Sequence, residues 1–256
     1  MSNDTKSVVV VTGAGSGIGQ SVAIEFSKLG YFVVGADQNI LGLQRTTELA
    51  GGEGNFHSIQ VDVRNESNME AVFAYVKQSK LLLHAVAACA GVARSGVVDT
   101  LSETDWDFTM NVNVKGVWLT AKYAMPIFVA QRSGAFIAIG SDASLRGASG
   151  YGAYCASKHA VLGLVRCLAL DYGHLGVRSN IVCPGFVQTP MMDKLFEEAA
   201  DPAAEMSAYA KEVPLGRFAL PLEIAKVIIH LASAESSYTN GAIYSIDGGV
   251  TAGHFG

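Results

Sequence analysis

The stretch YCASK places a phenol, Tyr154, and an ammonium, Lys158, four residues apart. On an α-helix, residues at this spacing share one face, so both side chains can project into the same cleft. A free phenol has a pKa of about 10, which is too high for a base at neutral pH. A fixed ammonium about 4 Å away stabilises the phenolate by up to ~4 kcal/mol at an effective dielectric of ~20, or roughly three pKa units. The pair predicts a tyrosine that acts as general acid and base, although such pairs also occur by chance in many helices.

A glycine-rich turn, TGAGSGIG, follows the β-branched run VVVVT and opens a helical pattern. Gly13, Gly17 and Gly19 allow a tight turn that brings backbone amides and a helix N-terminus up to a pyrophosphate. The spacing is GxxxGxG, and no Gly-Lys dipeptide of a Walker phosphate loop occurs. A plain strand-to-helix turn is the alternative interpretation.

Asp37 ends the next apolar run, where an acidic side chain accepts hydrogen bonds from an adenosine ribose. The alternative is an exposed turn aspartate. No Arg or Lys lies in the glycine turn or directly after Asp37 to balance a 2′-phosphate, and a carboxylate repels one. The sequence therefore predicts NAD rather than NADP.

These residues sit in an alternation of short apolar runs and amphipathic helical patterns. The runs are continuously apolar, as expected for parallel strands covered on both faces. They predict an α/β fold: one Rossmann-like, doubly wound parallel sheet with helices on both faces, forming a single dinucleotide-binding and catalytic domain over residues 1–256. Residues of about 190–218 contain helix formers without a following strand and predict a helical lid over the substrate site.

Composition excludes several other classes. Half of the 256 residues are apolar, 16% are charged and the net charge is −5, which predicts a folded protein without a nucleic-acid partner. No apolar run reaches the ~20 residues of a membrane span and no secretory signal is present, so a cytoplasmic location is expected. The four cysteines form no CxxC pair and lie in apolar stretches, which predicts buried free thiols and no metal site.

Nine sequence features occur in the order and at the spacings of one family: TGAGSGIG, Asp37, VDV, ACAG, NVNVKG, GSDAS, YCASK, CPGFVQTP and SIDGG. Through these features the chain resembles the short-chain dehydrogenase/reductase family along nearly its whole length. The resemblance implies a catalytic set of Asn113, Ser141, Tyr154 and Lys158. Lys158 would also bind the cofactor ribose, Ser141 would donate to or accept from the substrate oxygen, and Asn113 would hold a water that relays protons.

The resemblance also implies which residues bind the cofactor. Asp62 and Val63 would hold the adenine, and Val187 and Thr189 the nicotinamide carboxamide. The full implied set is Gly13, Ser16, Gly17, Ile18, Gly19, Asp37, Asp62, Val63, Ala90, Gly91, Tyr154, Lys158, Pro184, Gly185, Val187 and Thr189. Ala88 and Cys89 stand where the family usually has two asparagines, which leaves the geometry of that loop open.

The sequence thus predicts an NAD-dependent secondary-alcohol dehydrogenase or ketone reductase. A 3-oxoacyl thioester reductase and a catalytically silent dinucleotide sensor stay as alternatives. Met191, Met192 and Phe196 give the lid an apolar face, which either packs within the lid or contacts substrate, and in the second case favours a hydrophobic or cyclic one. Arg94 and Arg146 are candidates for contacting a charged substrate. The family is commonly tetrameric, which implies a homotetramer that packs through the helices containing Trp118 and Leu164.

Overall fold

The structure, a computed structural model, describes residues 7–197 and 201–253. Its centre is a sheet of seven parallel strands in the order β3-β2-β1-β4-β5-β6-β7. The strands are β1 (Val8–Thr12), β2 (Phe32–Asp37), β3 (Phe56–Gln60), β4 (Leu83–Ala88), β5 (Gly134–Ile139), β6 (Val177–Pro184) and β7 (Ile243–Ile246). This arrangement confirms the predicted doubly wound, Rossmann-like α/β fold.

Nine α-helices lie within the described residues. They are α1 (Gly17–Lys28), α2 (Ile40–Leu49), α3 (Glu66–Ser79), α4 (Glu103–Met110), α5 (Gly116–Gln131), α6 (Gly152–Tyr172), α7 (Pro190–Glu197), α8 (Pro202–Lys211) and α9 (Pro221–Ala232). Gly30 follows the end of α1 with a φ of +88°, a conformation that favours glycine and stops the helix.

Alternate residues of each central strand enter two separate cores. Val8 and Val10 of β1 pack on the face covered by α3, α5 and α6, whereas Val9 and Val11 pack on the face covered by α1, α2 and α9. Strands buried on both faces need apolar residues at every position, which explains the continuous valine run.

The order of the strands reverses between β1 and β4, because the chain runs outward to β3 and then returns to β4. Loops that follow strands on either side of such a reversal separate and leave a crevice at the carboxyl edge of the sheet. The glycine turn follows β1 and the ACAG stretch follows β4, so both predicted cofactor loops face this crevice.

The segment predicted as a lid contains α7 and α8, and its residues 198–200 lie outside the described residues. Residues 1–6, on which the expected absence of a secretory signal depends, also lie outside them. Phe196 is 2% exposed. It packs against the rings of Tyr209 and Phe218, with centroids 5.5 and 6.0 Å away, which agrees with the packing alternative rather than with substrate contact.

One helical stretch in the described part of the chain, Gly152–Leu175, is long and apolar enough to span a membrane by length and composition alone. This stretch includes α6, whose Val161 and Val165 are fully buried in the core. A core helix passes the same test, and 39% of the tested part of this stretch is buried.

The close packing of β2 predicts an effect of substitution at Gly35. A Cβ at Gly35 would lie 2.1 Å from Cζ of Phe56, whereas one at Gly54 meets nothing within 4 Å. We expect Gly35→Ala to lower the free energy of unfolding by about 1–3 kcal/mol through overpacking, and Gly54→Ala to change it by less than about 0.5 kcal/mol. Urea unfolding measures both, and equal stability of the two variants would contradict this account of the core.

Candidate active site

The structure brings the four predicted catalytic residues to the carboxyl edge of the sheet. Ser141 follows β5, Tyr154 and Lys158 lie in the first two turns of α6, and Asn113 lies in a π-helical turn, Asn111–Lys115, between α4 and α5. A π-helical turn is uncommon and is frequently found at functional sites, because the extra residue redirects a side chain.

Tyr154 and Lys158 are close, as their spacing predicts. The Lys158 Nζ lies over the face of the Tyr154 ring, 5.6 Å from its centroid. Lys158 is 4% exposed, and its ammonium donates to the backbone carbonyl of Ile139 at 2.9 Å. The cation is therefore fixed from the end of β5 and lies beside the phenol in a poorly hydrated site.

Burial sets the pKa values of this pair in the ligand-free protein. It raises the pKa of Tyr154 to about 12, and the Ser141 hydroxyl lowers that pKa by less than burial raises it. Burial also lowers the pKa of Lys158 to about 8. The expectation that Lys158 brings the phenol toward neutrality is therefore wrong in direction, because loss of hydration raises the pKa of Tyr154 more than any neighbouring group lowers it.

Ser141 starts a short 3₁₀ turn, Asp142–Ser144, and its side chain is 7% exposed. Its Oγ donates to Asp142 Oδ1 at 2.8 Å and accepts from the Ala143 amide at 3.2 Å. Asp142 is in turn paired with Arg146, at 2.7 Å between Oδ2 and Nη2. The orientation of Ser141 is thus fixed by its sequence neighbour.

The Asn113 amide is fully buried and tied to two segments. Its Oδ1 accepts from the Val92 amide at 2.8 Å, and its Nδ2 donates to the Val92 carbonyl at 2.9 Å and to Ser157 Oγ at 3.0 Å. Ser157 donates onward to the Tyr154 carbonyl at 2.7 Å. Asn113 therefore joins the loop after β4 to α6, and the proton relay through a water stays a prediction.

The glycine turn has the shape of an anion site. Ser16 precedes α1 without a side-chain hydrogen bond to the helix, and the first turn of α1 has no acidic residue. Its N-terminal amides and dipole are thus available to a negative group. Gly13 and Gly17 have φ values of +70° and +56°, and a Cβ at Gly19 would lie 2.1 Å from the Gly13 carbonyl oxygen. Ile18 packs against the core beneath this turn.

Asp37 lies against this turn. Its Oδ2 accepts from the Gly15 amide at 2.9 Å and its Oδ1 from the Asn39 amide at 2.8 Å. Each carboxylate oxygen keeps further acceptor capacity for a ribose hydroxyl. Asp37 is half-buried rather than an exposed turn residue.

The two residues predicted to hold adenine differ in their surroundings. The Asp62 carboxylate is bound by Arg64 Nη2 at 2.6 Å, and this hydrogen bond contributes most to the lowering of the Asp62 pKa. The Asp62 backbone N–H is already used, because it donates to Asn68 Oδ1 at 2.9 Å. Val63 is buried against Gly116, so the adenine contacts stay predictions.

The loop after β4 packs directly on the glycine turn despite the missing asparagines. A Cβ at Gly13 would lie 2.8 Å from the Ala90 nitrogen, and the Ala90 amide donates to Thr12 Oγ1 at 3.3 Å. A Cβ at Gly91 would lie 3.5 Å from the Lys158 Nζ. Burial raises the pKa of the Cys89 thiol to about 12, so Cys89 is an inert packing group here.

The residues after β6 close the other side of the crevice. The Gly185 amide donates to the Ile246 carbonyl at 3.1 Å, directly after Pro184 ends β6. Val187 is 4% exposed, and its carbonyl accepts from Thr189 Oγ1 at 3.3 Å. A Cβ at Gly17 would lie 3.2 Å from Thr189 Cγ2, so this loop reaches the glycine turn.

Comparison with known proteins identifies the family. Residues 13–251 match the family model described as enoyl-(acyl carrier protein) reductase. The chain is 34% identical over 250 residues to the oxidoreductase UcpA of Salmonella typhimurium, covering 96% of this chain and 95% of that protein. It is 34% identical over 246 residues to the 3-oxoacyl-[acyl-carrier-protein] reductase FabG of Thermotoga maritima, covering 95% and 97%. It is also 34% identical over 243 residues to the dehydrogenase/reductase SDR family member 6 of Rattus norvegicus, covering 94% and 96%.

The chain belongs to the short-chain dehydrogenase/reductase family. It is an oxidoreductase by this membership. Solved structures of the family superpose closely: levodione reductase has a TM-score of 0.94 at 27% identity and covers 98% of this chain and 99% of that one. An actinorhodin polyketide ketoreductase with NADPH has a TM-score of 0.92 at 28% identity and covers 98% and 99%. The family binds a nicotinamide dinucleotide, and the glycine turn of this short-chain dehydrogenase/reductase fits one.

Several contributing groups were not identified from the sequence. Asp142 and Ser157 each lie within a quoted motif, GSDAS and YCASK, yet only their hydrogen bonds reveal a role. The Ile139 carbonyl that holds Lys158 leaves no mark in the side-chain pattern. For Asp142, the one signal in the sequence is its position next to Ser141, because a carboxylate beside a hydroxyl can accept the hydroxyl proton.

The thiols show one difference from expectation. Cys183 is buried, and burial raises its pKa, whereas Cys89 and Cys155 are half-buried and Cys167 is exposed on α6, so the prediction of burial is wrong for Cys167. A helix buries one face only, and Cys167 lies on the other. Within residues 7–197 and 201–253, no group of three or more His, Cys, Asp or Glu side chains is placed to hold a metal ion.

Burying the Lys158 ammonium is expected to lower the free energy of unfolding. Lowering the pKa of Lys158 from 10.5 to about 8 costs about 3 kcal/mol of folding free energy when the group is charged. Because the unfolded chain holds the proton to higher pH, the cost is complete below about pH 8 and disappears as pH rises to about 10.5.

We expect Lys158→Met to be more stable than the natural protein by about 1–3 kcal/mol at pH 7, with the difference shrinking toward pH 10. Chemical unfolding at several pH values measures this difference. Lys77→Met, a change at an exposed lysine of α3, is the matched control and should show no such dependence. A difference for Lys158→Met that does not vary with pH would contradict the buried charge.

Proposed function

We propose that this short-chain dehydrogenase/reductase transfers hydride between NAD(H) and a secondary alcohol or ketone, with Tyr154 as general acid and base. The observation that carries the proposal is the meeting of Ser141, Tyr154 and Lys158 at the edge of the sheet, where Lys158 lies 5.6 Å from the Tyr154 ring centroid. The alternative of a catalytically silent sensor does not explain why the chain keeps a buried ammonium beside a buried phenol.

The chain's own groups divide the work. Tyr154 holds the proton that the substrate oxygen gains or loses, and Lys158 places a positive charge beside it. Ser141 would accept a hydrogen bond from the hydroxyl of an alcohol substrate, and Asn113 holds α6 against the loop after β4. When bound, the nicotinamide supplies or accepts the hydride. The crevice formed by Gly13, Gly17, Gly91, Val187 and Thr189 supports its placement.

Asp37 supports NAD as the cofactor. Its carboxylate lies at the glycine turn, 2.9 Å from the Gly15 amide, where a 2′-phosphate would meet a negative charge. The residues from Gln38 to Gln44 include no Arg or Lys. The related ketoreductase was solved with NADPH, which makes NADP the alternative cofactor.

The charges around the cleft support an uncharged substrate. Arg146 is paired with Asp142, and Arg94 lies 3.6 Å from Asp105 and over the Phe108 ring. Both candidate arginines thus already have a carboxylate partner, which leaves little net charge to recruit an anion. Met191, 43% exposed on α7, presents apolar surface from the lid segment.

A 3-oxoacyl thioester reductase is the second candidate, and the relative named FabG favours it. Reduction of an acetoacetyl thioester with NADPH, compared with reduction of simple ketones with NADH, separates the two. Higher kcat/KM for the thioester with NADPH would replace the first proposal.

Exposed apolar side chains on two helices suggest how copies of the chain assemble. We propose a homotetramer in the cytoplasm that packs through α5 and α6, because Trp118 on α5 is 44% exposed and Leu170 on α6 is 81% exposed. Light scattering of the purified protein tests the proposed tetramer.

Substitution of Tyr154 tests the acid/base assignment. We expect Tyr154→Phe to lower kcat for NAD-linked oxidation of a secondary alcohol by at least about 100-fold, because general acid–base catalysis contributes about 10²–10⁴-fold. The Kd for NAD should stay within about threefold. Tyr151→Phe is the control, since Tyr151 is the neighbouring tyrosine with its ring centroid 6.4 Å away, and it should keep most of the rate. A Tyr154→Phe variant that keeps its rate removes the assignment.

A charge-only change at Asp37 tests the cofactor preference. We expect Asp37→Asn to lower the ratio of kcat/KM for NAD over NADP at least about tenfold, because it removes the repulsion of a 2′-phosphate and keeps the side-chain shape. Gln38→Ala, a change at the exposed neighbour, is the control. An unchanged ratio would mean that the ribose is recognised elsewhere.

A further inference from the structure

The Ser141 hydroxyl has a single proton, and Asp142 accepts it. The distance from Ser141 Oγ to Asp142 Oδ1 is 2.8 Å, and a carboxylate can only accept, so the direction of the bond is fixed. The Ala143 amide donates to both Ser141 Oγ and Asp142 Oδ1, at 3.2 and 2.9 Å. With its proton given to Asp142, the Ser141 hydroxyl can act toward the cleft only as a hydrogen-bond acceptor, through its remaining lone pair.

The Asp142 side chain is fixed in orientation, because its second carboxylate oxygen, Oδ2, is also hydrogen-bonded. Arg146 donates to Oδ2 from Nε at 3.0 Å and from Nη2 at 2.7 Å. The Asp142 side chain is 14% exposed, which reduces competition from water. Ser144 closes the turn by accepting from the Ser141 amide at 3.1 Å.

The groups facing Tyr154 come from three elements. Asp142 comes from the turn after β5, Cys183 from β6, and Cys155 and Lys158 from α6 itself. Asp142 and the two thiols all raise the pKa of Tyr154, in addition to burial. Ser141 lowers that pKa only to the extent that its proton is free to reach the phenol oxygen, and Asp142 competes for that proton.

Resting on the proposed function, we propose that Asp142 is a positioning residue for the acid/base pair: it takes the Ser141 proton, presents Ser141 to Tyr154 as an acceptor, and thereby keeps Tyr154 protonated. The enzyme then rests in the form that reduces a carbonyl. In that direction the carbonyl carbon takes hydride from the reduced nicotinamide, and the carbonyl oxygen takes the proton as the Tyr154 O–H bond breaks. Alcohol, oxidised nicotinamide and a phenolate result, and solvent returns the proton to the phenolate.

The test is the pH profile of kcat/KM for NAD-linked oxidation of a secondary alcohol, in which Tyr154 must first lose its proton. For Asp142→Ala we expect the acidic limb to move down by about one pH unit, so that oxidation near pH 7 rises up to about tenfold. Asp142→Asn keeps an acceptor for Ser141 and loses only the charge, so its limb should move less. Arg146→Gln leaves Asp142 without its cation and should move the limb up.

Asp105→Asn is the matched control, because Asp105 pairs with the other cleft-side arginine, Arg94, and its variant should leave the limb in place. A limb that stays fixed in Asp142→Ala while the rate falls equally at every pH shows a merely structural role and overturns the proposal. If Asp142→Ala does not fold, opposite shifts in Asp142→Asn and Arg146→Gln support the proposal, and the absence of opposite shifts overturns it.

Failure of the proposed function gives a different result. A natural protein that binds NAD, measured by calorimetry, but oxidises no alcohol and reduces no ketone overturns the proposed function and this inference with it. A natural protein that turns over, with a limb unmoved by the Asp142 variants, overturns this inference alone.

Discussion

The Lys158 ammonium is a charge buried at the end of a strand, and the rest of the site depends on how it is held. The Ile139 carbonyl fixes it at 2.9 Å, and α6 brings it across the face of Tyr154. Burying a cation opposes folding, so the sheet and α6 must be stable enough to tolerate it. The two apolar cores on either side of the valine-rich β1 provide that stability.

The same burial decides the protonation of the site. Loss of hydration opposes charge on both groups, so it pushes the pKa of Tyr154 up and that of Lys158 down. Burial therefore favours the neutral phenol. Under the proposed function, the acid/base group becomes a base when the oxidised cofactor binds, and it rests as an acid otherwise.

Sequence predicted the fold well because the signals were long and redundant. Continuous apolar runs such as VVVVT indicate strands covered on both faces, and the seven strands of the structure lie in one parallel sheet. The meeting of Ser141, Tyr154 and Lys158 followed from spacing and from a family resemblance that the comparisons confirmed.

What the sequence did not predict depends on burial and on hydrogen bonds between distant segments. Periodicity shows that α7 has an apolar face but not that Phe196 is enclosed by Tyr209 and Phe218. Spacing brings Lys158 to Tyr154 but says nothing of how much hydration each loses, so the direction of the pKa change was wrong. The role of Asp142 required the geometry of its turn, which a five-letter motif does not specify.

The most direct measurement is the titration of the Tyr154 phenol itself, by NMR of protein labelled with ¹³C at tyrosine Cζ and assigned by loss of one signal in the Tyr154→Phe variant. The account predicts that the Tyr154 signal stays that of a neutral phenol up to about pH 10 without ligand, and that its pKa falls by about two units or more when NAD is saturating. A Tyr154 signal that already titrates near neutral pH without ligand, or that does not respond to NAD, would contradict it.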